Sequence, residues 1–229
     1  MGELLDAWLQ DFLNNTVPPR EPILQRLEEQ AACEHIPIIH PDVGQFLRFL
    51  IRVHRPKSIL EVGTAIGYST ILFAQAADRE TKIKTIEINE SRAYEAWLNF
   101  KDAGIADRIQ SIVGDAIDLI AKLDTTFDFI FLDAAKGQYL TFFQDALGLL
   151  NQGGLIVADN VLLNGWVANH DLIPRRRMKT MVNRMDEYIR MVIDHPELTS
   201  SIIPIGDGLA LSLKDVKKSE ETRGSSTSR

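Results

Sequence analysis

The sequence predicts an α/β fold in which a doubly wound, mostly parallel sheet ends in an antiparallel hairpin. From about residue 57 onward, short apolar runs alternate with helical segments, a pattern typical of parallel strands buried between two layers of helices. These runs are SILEV, KIKTIEI, RIQSIV, FDFIFLD and GGLIVAD. Two further runs, SSIIPIG and GLALSLK, follow a long helical stretch and are expected to form a hairpin at one edge of the sheet. We therefore expect a Rossmann-like sheet of seven strands.

The first 55 residues have the periodicity of helices. Apolar side chains recur at three- and four-residue intervals in two segments, at Ile23, Leu24, Leu27 and Ala31 and at Phe46, Leu47, Leu50 and Ile51. Prolines at positions 18, 19 and 37 separate these segments. We expect an N-terminal helical extension over residues 1–55, one domain over residues 56–214, and a disordered polar tail over residues 215–229.

Composition narrows the class of protein. A chain of 229 residues fits one domain with short extensions. Its net charge of −7 argues against a protein that coats nucleic acid, although it allows a local basic patch. The single cysteine, Cys33, excludes an internal disulfide and a cysteine-rich zinc site. No apolar run approaches the roughly 18 residues of a membrane span, and the acidic N-terminus does not resemble a signal peptide, so we expect a cytoplasmic protein with no membrane partner.

Chemically useful residues follow the first three predicted strands. Gly63 and Gly67 in E-x-G-x-x-x-G allow a tight turn and the close approach of a ligand, although a turn without a ligand is the alternative. Glu87 ends the second strand, where an acidic side chain can accept hydrogen bonds from ribose hydroxyls. Asp115 follows the third strand and could accept from an adenine amino group. A nucleotide-binding oxidoreductase is an alternative from another enzyme class, and the absence of G-x-G-x-x-G argues against it.

Oxygen-bearing side chains follow the next two strands. Asp133 ends the fourth strand, and Asp159 and Asn160 end the fifth. Because adjacent strand ends meet at one edge of a parallel sheet, these three side chains should lie close together. Two carboxylates and an amide suit a hard cation such as Mg²⁺, whereas an aspartate after a strand can also serve only as a helix cap.

As an ordered set, these motifs resemble those of metal-dependent O-methyltransferases of the catechol and caffeoyl-CoA type. The set is EVGTAIGYS, IEIN, GDA, FLDAAKGQY, ADNVL and IPIGDGLALS, spanning residues 61–213. The resemblance implies S-adenosylmethionine as cofactor, Mg²⁺ or Mn²⁺ on Asp133, Asp159 and Asn160, and a homodimer. It also implies that the cofactor contacts Ile39, Glu61, Gly63, Gly67, Tyr68, Ser69, Glu87, Asp115, Ala116 and Asp133.

Lys136 is the candidate catalytic base. Asp133 is the second residue to which we assign a catalytic role. Beside a divalent cation and a sulfonium, the pKa of this lysine should fall, because both positive charges disfavour its protonation. It could then take a proton from an acceptor hydroxyl. A solvated surface lysine is the alternative. In the resembled family, the lysine at this motif position is the base.

A basic segment opens the long helical stretch predicted from about Pro174 to His195. Residues 174–190 contain six basic and two acidic residues, and cations in a first helical turn oppose the helix dipole. An external anion would stabilise them, and phosphates are the natural candidate. The alternative is a solvated charged face. The residues concerned are Arg175, Arg176, Arg177 and Lys179.

The segments NVLLNGWV, IPRRRMKTMVNRMDEYIRMVIDHPE and IIPIGDGLALS are similar to those of the bacterial tRNA 5-hydroxyuridine methyltransferases. This similarity implies methylation of 5-hydroxyuridine at the anticodon wobble position, giving 5-methoxyuridine, with the arginines on phosphates of the tRNA anticodon arm. A small catechol or phenylpropanoid acceptor is the second possibility. A non-catalytic RNA-binding module would not need the acidic triad and the lysine together.

Overall fold

The structure is a computed structural model that describes residues 7–133 and 138–216. Within these ranges the helices are α1 (Ala7–Thr16), α2 (Pro22–Glu34), α3 (Pro41–His54), α4 (Tyr68–Ala76), α5 (Glu90–Asp102), α6 (Ala116–Ile120), α7 (Tyr139–Leu149) and α8 (Lys179–Asp194). The strands are β1 (Ser58–Val62), β2 (Lys82–Glu87), β3 (Ile109–Val113), β4 (Phe127–Leu132), β5 (Leu150–Ala158), β6 (Leu198–Ile203) and β7 (Leu209–Lys214). Every strand predicted from the sequence is present.

The seven strands form one sheet in the order β3-β2-β1-β4-β5-β7-β6. Strands β1 to β5 are mutually parallel, whereas β7 runs antiparallel to both β5 and β6. The predicted fold class is therefore confirmed. Chain order reverses between β1 and β4, and in such sheets ligands bind at the carboxyl ends of the strands beside this switch point.

Alternation of side chains along the central strands divides the core into two layers. Ile59 and Phe129 face one layer, where they pack with Leu27 and Leu47 of the N-terminal helices. Leu60, on the opposite face of the sheet, belongs to the other layer, which α6, α7 and α8 cover. Burial on both faces explains why these strands are nearly continuous apolar runs. The predicted N-terminal extension therefore packs into the same core as the sheet.

The long C-terminal helix starts later than the sequence pattern indicated. Ile173 is extended before Pro174, as residues preceding proline prefer to be, and a short 3-10 turn over Arg176–Met178 leads into α8 at Lys179. The arginines thus precede the helix and do not occupy its first turn. Residues 217–229, most of the predicted tail, lie outside the described ranges. No helix in the described ranges is long and apolar enough to cross a membrane.

Candidate active site

Two adjoining cavities lie at the carboxyl ends of the central strands. The larger, of about 520 Å³, is lined by residues that follow five successive strand ends and by the N-terminal segment His35–Pro37. The smaller, of about 50 Å³, lies between Pro37–His40 and the ends of β4 and β5. Asp133 and Asn160 line both cavities. Molecules bound in the two cavities would therefore meet at these side chains.

The turn after β1 adopts backbone conformations that favour glycine. Gly63 has φ 103° and Gly67 has φ 86°. A Cβ atom on Gly67 would lie 2.5 Å from the Phe100 ring, so a larger residue would push α5 away. Gly63 and Ala65 line the larger cavity, whereas Gly67 closes the turn behind them. The predicted loop thus brings backbone to the cavity wall.

Glu87 lines the larger cavity and fixes two neighbouring loops. Its Oε2 accepts a hydrogen bond from the Ala65 N–H at 2.8 Å, and its Oε1 accepts from the Asn89 N–H at 2.9 Å. An ionised carboxylate has about four acceptor sites, so further sites remain for hydroxyl donors in the cavity.

Asp115 and Ala116, which are predicted cofactor contacts, also line the larger cavity. Asp115 is the N-cap of α6, and its carboxylate accepts from the Ile117 N–H at 2.9 Å. This bond holds the carboxylate at the end of β3, where a ligand in the cavity could reach it.

Five residues of the predicted cofactor set are not among those lining the larger cavity: Ile39, Glu61, Gly67, Tyr68 and Ser69. Glu61 shares the sheet face of Ile59, which α4 covers, and Ser69 donates to it at 2.5 Å. The Tyr68 hydroxyl donates to Glu28 of α2 at 2.7 Å. Ile39 is buried and lines the smaller cavity. Contact of these five residues with a cofactor stays a prediction.

The Glu61 carboxylate is completely buried beneath the first loop. It accepts hydrogen bonds from Ser69, Thr70 and Thr85, and the Thr85 hydroxyl lies 2.5 Å from that of Thr64. Burial raises the pKa of Glu61 to about 7, against the opposing effect of the three hydroxyl donors, and the Asp133 carboxylate adds a smaller increase. Glu61 therefore organises the loop from below.

This raised pKa predicts a pH dependence of stability. The pKa of Glu61 is higher in the folded protein than in the unfolded chain. The contribution of its protonated carboxyl group to the free energy of unfolding is therefore fully present below about pH 4.5 and is lost as pH rises through about 7. We expect the free energy of unfolding of wild type to fall, relative to Glu61→Gln, by on the order of 3 kcal/mol across this window. Urea unfolding in excess chelator at several pH values measures this difference. A constant difference would show that Glu61 does not titrate in this range.

The predicted metal ligands gather at the ends of β4 and β5. The Asp133 N–H donates to Val62 at 2.9 Å, and the Asp159 N–H donates to Leu132 at 3.0 Å, so the sheet ladder fixes both positions. Asp159 is buried, and its Oδ1 accepts from the Asn160 N–H at 2.6 Å. Asn160 has the left-handed φ of 57°, which asparagine tolerates better than most residues.

The donor chemistry of this site fits a hard divalent cation. Asp133, Asp159 and Asn160 bring two carboxylates and an amide oxygen to one small cavity. No cluster of three or more His, Cys, Asp or Glu side chains able to hold a metal occurs in the described ranges, so these residues would need oxygen ligands from water or acceptor. The metal stays a prediction.

Asp207 is a residue at this site that the sequence pattern did not single out. It lines the smaller cavity, and its Oδ1 accepts from the Asn164 N–H at 2.5 Å. Its carbonyl accepts from the Leu162 N–H, and the Gly208 carbonyl accepts from the Val161 N–H. The Gly-Asp-Gly turn before β7 therefore holds the loop that follows Asn160. The two glycines that flank Asp207 were the feature of the sequence that could have indicated this turn.

Lys136 falls in residues 134–137, outside the described ranges. Asp133 and Gln138, which flank this segment, both line the larger cavity. The assignment of Lys136 as the base therefore stays a prediction from the sequence.

The basic segment before α8 is exposed. Arg175, Arg176 and Arg177 make no ion pair with any residue in the described ranges, whereas Arg190 of α8 pairs with Asp186 at 3.1 Å. Lys179 is also exposed. These four cations lie on the segment that leads away from Asn160, and they are not among the residues lining the two cavities.

Comparison with known proteins identifies the family. A family model described as O-methyltransferase matches residues 15–215. The chain is 33% identical over 216 residues to caffeoyl-CoA O-methyltransferase 1 of Eucalyptus globulus, covering 90% of this chain and 87% of that protein. It is 39% identical over 137 residues to catechol O-methyltransferase of Niastella koreensis, covering 58% of this chain and 62% of that protein.

Among solved structures, the fold is similar to that of the O-methyltransferase TomG from Streptomyces achromogenes, determined in complex with S-adenosylmethionine. The TM-score is 0.80 at 28% identity, with 91% of this chain and 96% of that chain covered. The matched relatives and the larger cavity at the strand ends lead to the same assignment. The chain belongs to the S-adenosylmethionine-dependent O-methyltransferase family of the caffeoyl-CoA and catechol type.

Proposed function

We propose that this protein methylates a hydroxyl group on an acceptor that has a second oxygen next to it, with the help of Mg²⁺ or Mn²⁺. The observation that carries this proposal is the junction of the two cavities at Asp133 and Asn160. A methyl donor in the larger cavity and an acceptor at the oxygen-rich smaller one would be in contact there. Holding two reactants in such contact is the main contribution that an enzyme can make to group transfer.

The chain's own residues then have distinct tasks. Glu87 would accept hydrogen bonds from the ribose hydroxyls of S-adenosylmethionine, and Asp115 would accept from its adenine amino group. Asp133, Asp159 and Asn160 would hold the divalent cation, which stabilises the ionised form of an acceptor oxygen. Lys136 would remove the acceptor proton.

For the acceptor, we place first the 5-hydroxyuridine at the wobble position of a tRNA, giving 5-methoxyuridine. The 5-hydroxyl and 4-carbonyl of that base are neighbouring oxygens, like those of a catechol. The exposed Arg175, Arg176 and Arg177 favour a polyanion, because they form no ion pair within the described ranges of a chain with net charge −7. They would hold phosphates of the anticodon arm while the base enters the site.

A small catechol or caffeoyl-type acceptor is the second candidate. The names of the matched relatives favour it, since they refer to caffeoyl-CoA and catechol. The two candidates require the same metal, base and cofactor residues, and they differ in whether the basic segment is needed.

The deciding experiment is methylation of hypomodified tRNA that carries 5-hydroxyuridine, by wild type and by the Arg175→Ala, Arg176→Ala, Arg177→Ala triple variant. We expect weaker tRNA binding by the variant and a salt slope shallower by about 2, because fewer counterions are released. A matched control replaces Lys57, Arg79 and Lys82 by alanine, removing the same charge from exposed positions near the amino ends of β1 and β2, at the opposite edge of the sheet.

Two results would change the assignment. Brisk methylation of catechols with no methylation of the tRNA would favour the small-molecule acceptor. Equal losses of tRNA affinity in the triple variant and its control would show that only the net charge of the protein matters. The three arginines would then be a solvated charged face.

We also propose a homodimer, with its interface on α1 and α3. Trp8, Phe12, Phe49 and Val53 expose large apolar side chains on these helices, and contiguous exposed apolar surface marks interaction sites. Light scattering after size exclusion would measure the mass. A monomer at all concentrations would contradict the proposal.

A further inference from the structure

The Tyr139 hydroxyl bridges the two strand ends that carry the predicted metal ligands. Tyr139 is the first residue of α7 and is 1% exposed. Its Oη lies 2.8 Å from the main-chain carbonyl oxygen of Asp159 and 3.2 Å from that of Leu132. A tyrosine hydroxyl has a single hydrogen, so this donor is shared between the ends of β4 and β5.

Each of these carbonyls belongs to a peptide group that leads into a predicted ligand. The Leu132 carbonyl lies in the peptide that joins Leu132 to Asp133, and the Asp159 carbonyl lies in the peptide that joins Asp159 to Asn160. Because a peptide group is planar, fixing its carbonyl also fixes the direction of the following residue. A hydrogen bond from the Tyr139 hydroxyl therefore constrains the backbone that carries the three predicted metal ligands.

The peptide between Asp159 and Asn160 needs such support. Asn160 has φ 57°, a region that non-glycine residues rarely occupy. The N–H of this peptide is held by Oδ1 of Asp159 at 2.6 Å, and its carbonyl by Tyr139. Both polar groups of this peptide are therefore hydrogen-bonded, the N–H to the Asp159 carboxylate and the carbonyl to the Tyr139 hydroxyl.

The ring of Tyr139 is itself held in place by a second buried tyrosine. Tyr188 of α8 contacts it edge to face, with ring centroids 5.5 Å apart. Unlike Tyr139, the Tyr188 hydroxyl has no hydrogen-bond partner in the described part of the chain. The two tyrosines therefore share a packing environment and differ in what their hydroxyls do.

We propose that the Tyr139 hydroxyl is a positioning group that orients Asp133, Asp159 and Asn160 for a divalent cation. This inference rests on the metal site of the proposed function. It assigns to Tyr139 no contact with acceptor, cofactor or metal, since the hydroxyl acts through two main-chain carbonyls.

The test compares Tyr139→Phe with Tyr188→Phe, which each remove one buried hydroxyl from the same cluster. Mn²⁺ binding, followed by the electron paramagnetic resonance of the free ion in the absence of other ligands, is the main measurement. We expect Tyr139→Phe to weaken Mn²⁺ affinity by roughly 10- to 100-fold, as loss of groups that orient metal ligands does. Tyr188→Phe should leave Mn²⁺ affinity unchanged, and neither variant should alter S-adenosylmethionine affinity measured by calorimetry without metal.

The outcomes separate the inference from the function on which it rests. Equal Mn²⁺ affinity of all three proteins would overturn the positioning role alone. Parallel losses of Mn²⁺ and S-adenosylmethionine affinity in Tyr139→Phe would also overturn it, because they would indicate general loosening of the fold. Failure of wild type to bind Mn²⁺ would overturn the metal site itself, and the inference with it.

Discussion

Replacing Asp159 by alanine is expected to reduce methyl transfer by about 10³-fold or more. The substitution removes a buried carboxylate from the predicted metal site. Metal ions contribute several kcal/mol to stabilising developing negative charge, and each 1.36 kcal/mol is a factor of ten in rate. Initial rates with a fixed acceptor and saturating S-adenosylmethionine would measure the loss.

A second variant separates the charge of Asp159 from its hydrogen bond, and a variant at a distant aspartate serves as the control. Asp159→Asn keeps an oxygen that can accept from the Asn160 N–H but lacks the charge, so its activity should also be low. Asp118→Asn removes a charge from an exposed position on α6 and should be nearly neutral. Circular dichroism should show all three variants folded. Full activity of Asp159→Ala, or of wild type in excess chelator, would remove the metal from the mechanism.

The sheet could be predicted from the sequence because its central strands are buried on both faces. Ile130 and Phe131 face opposite layers, and both are fully buried. Such strands must be apolar at consecutive positions, so they stand out against the amphipathic helices between them. The strand ends could be predicted for the same reason, since polar residues appear where burial stops, as at Asp133 and Asp159.

The directions of several side chains could not be predicted. Glu61 is a cavity candidate by its position in E-x-G-x-x-x-G, but its burial depends on hydroxyls from Ser69, Thr70 and Thr85, which belong to two other elements. Nothing in the local pattern indicates that these residues converge. The motif therefore identifies the loop correctly but not which of its side chains face the cavity.

Tyr139 and Asp207 were missed for a related reason. Both act on main-chain groups of residues distant in sequence, and such contacts leave no periodic signal. Arg175, in contrast, stands out by composition alone, and its predicted helical placement is wrong, because its backbone is extended (φ −143°, ψ 132°) and α8 starts only at Lys179. The periodicity of the sequence predicts that a helix is present, whereas the backbone conformation of the residues before the helix determines where it starts.

Replacing Lys136 by methionine is expected to lower turnover by about 10²- to 10⁴-fold, the usual contribution of a positioned acid–base group. Methionine keeps much of the length and apolar stem of lysine and removes the amine, so S-adenosylmethionine affinity should barely change. Lys136→Arg should be as inactive as Lys136→Met, because a guanidinium retains the positive charge but cannot release its proton near neutral pH.

The arginine variant distinguishes a base from a merely electrostatic group. If the positive charge alone stabilises the acceptor oxyanion, arginine will restore turnover and methionine will not. If the lysine amine takes the proton, both variants will be slow, and the acidic limb of the wild-type profile of turnover against pH will be lost in both. Single-turnover rates between about pH 6 and 9 bracket the range in which a lysine with lowered pKa would titrate. A small loss in both variants would mean that a divalent cation is sufficient to ionise the acceptor hydroxyl without Lys136, and that Lys136 only orients it.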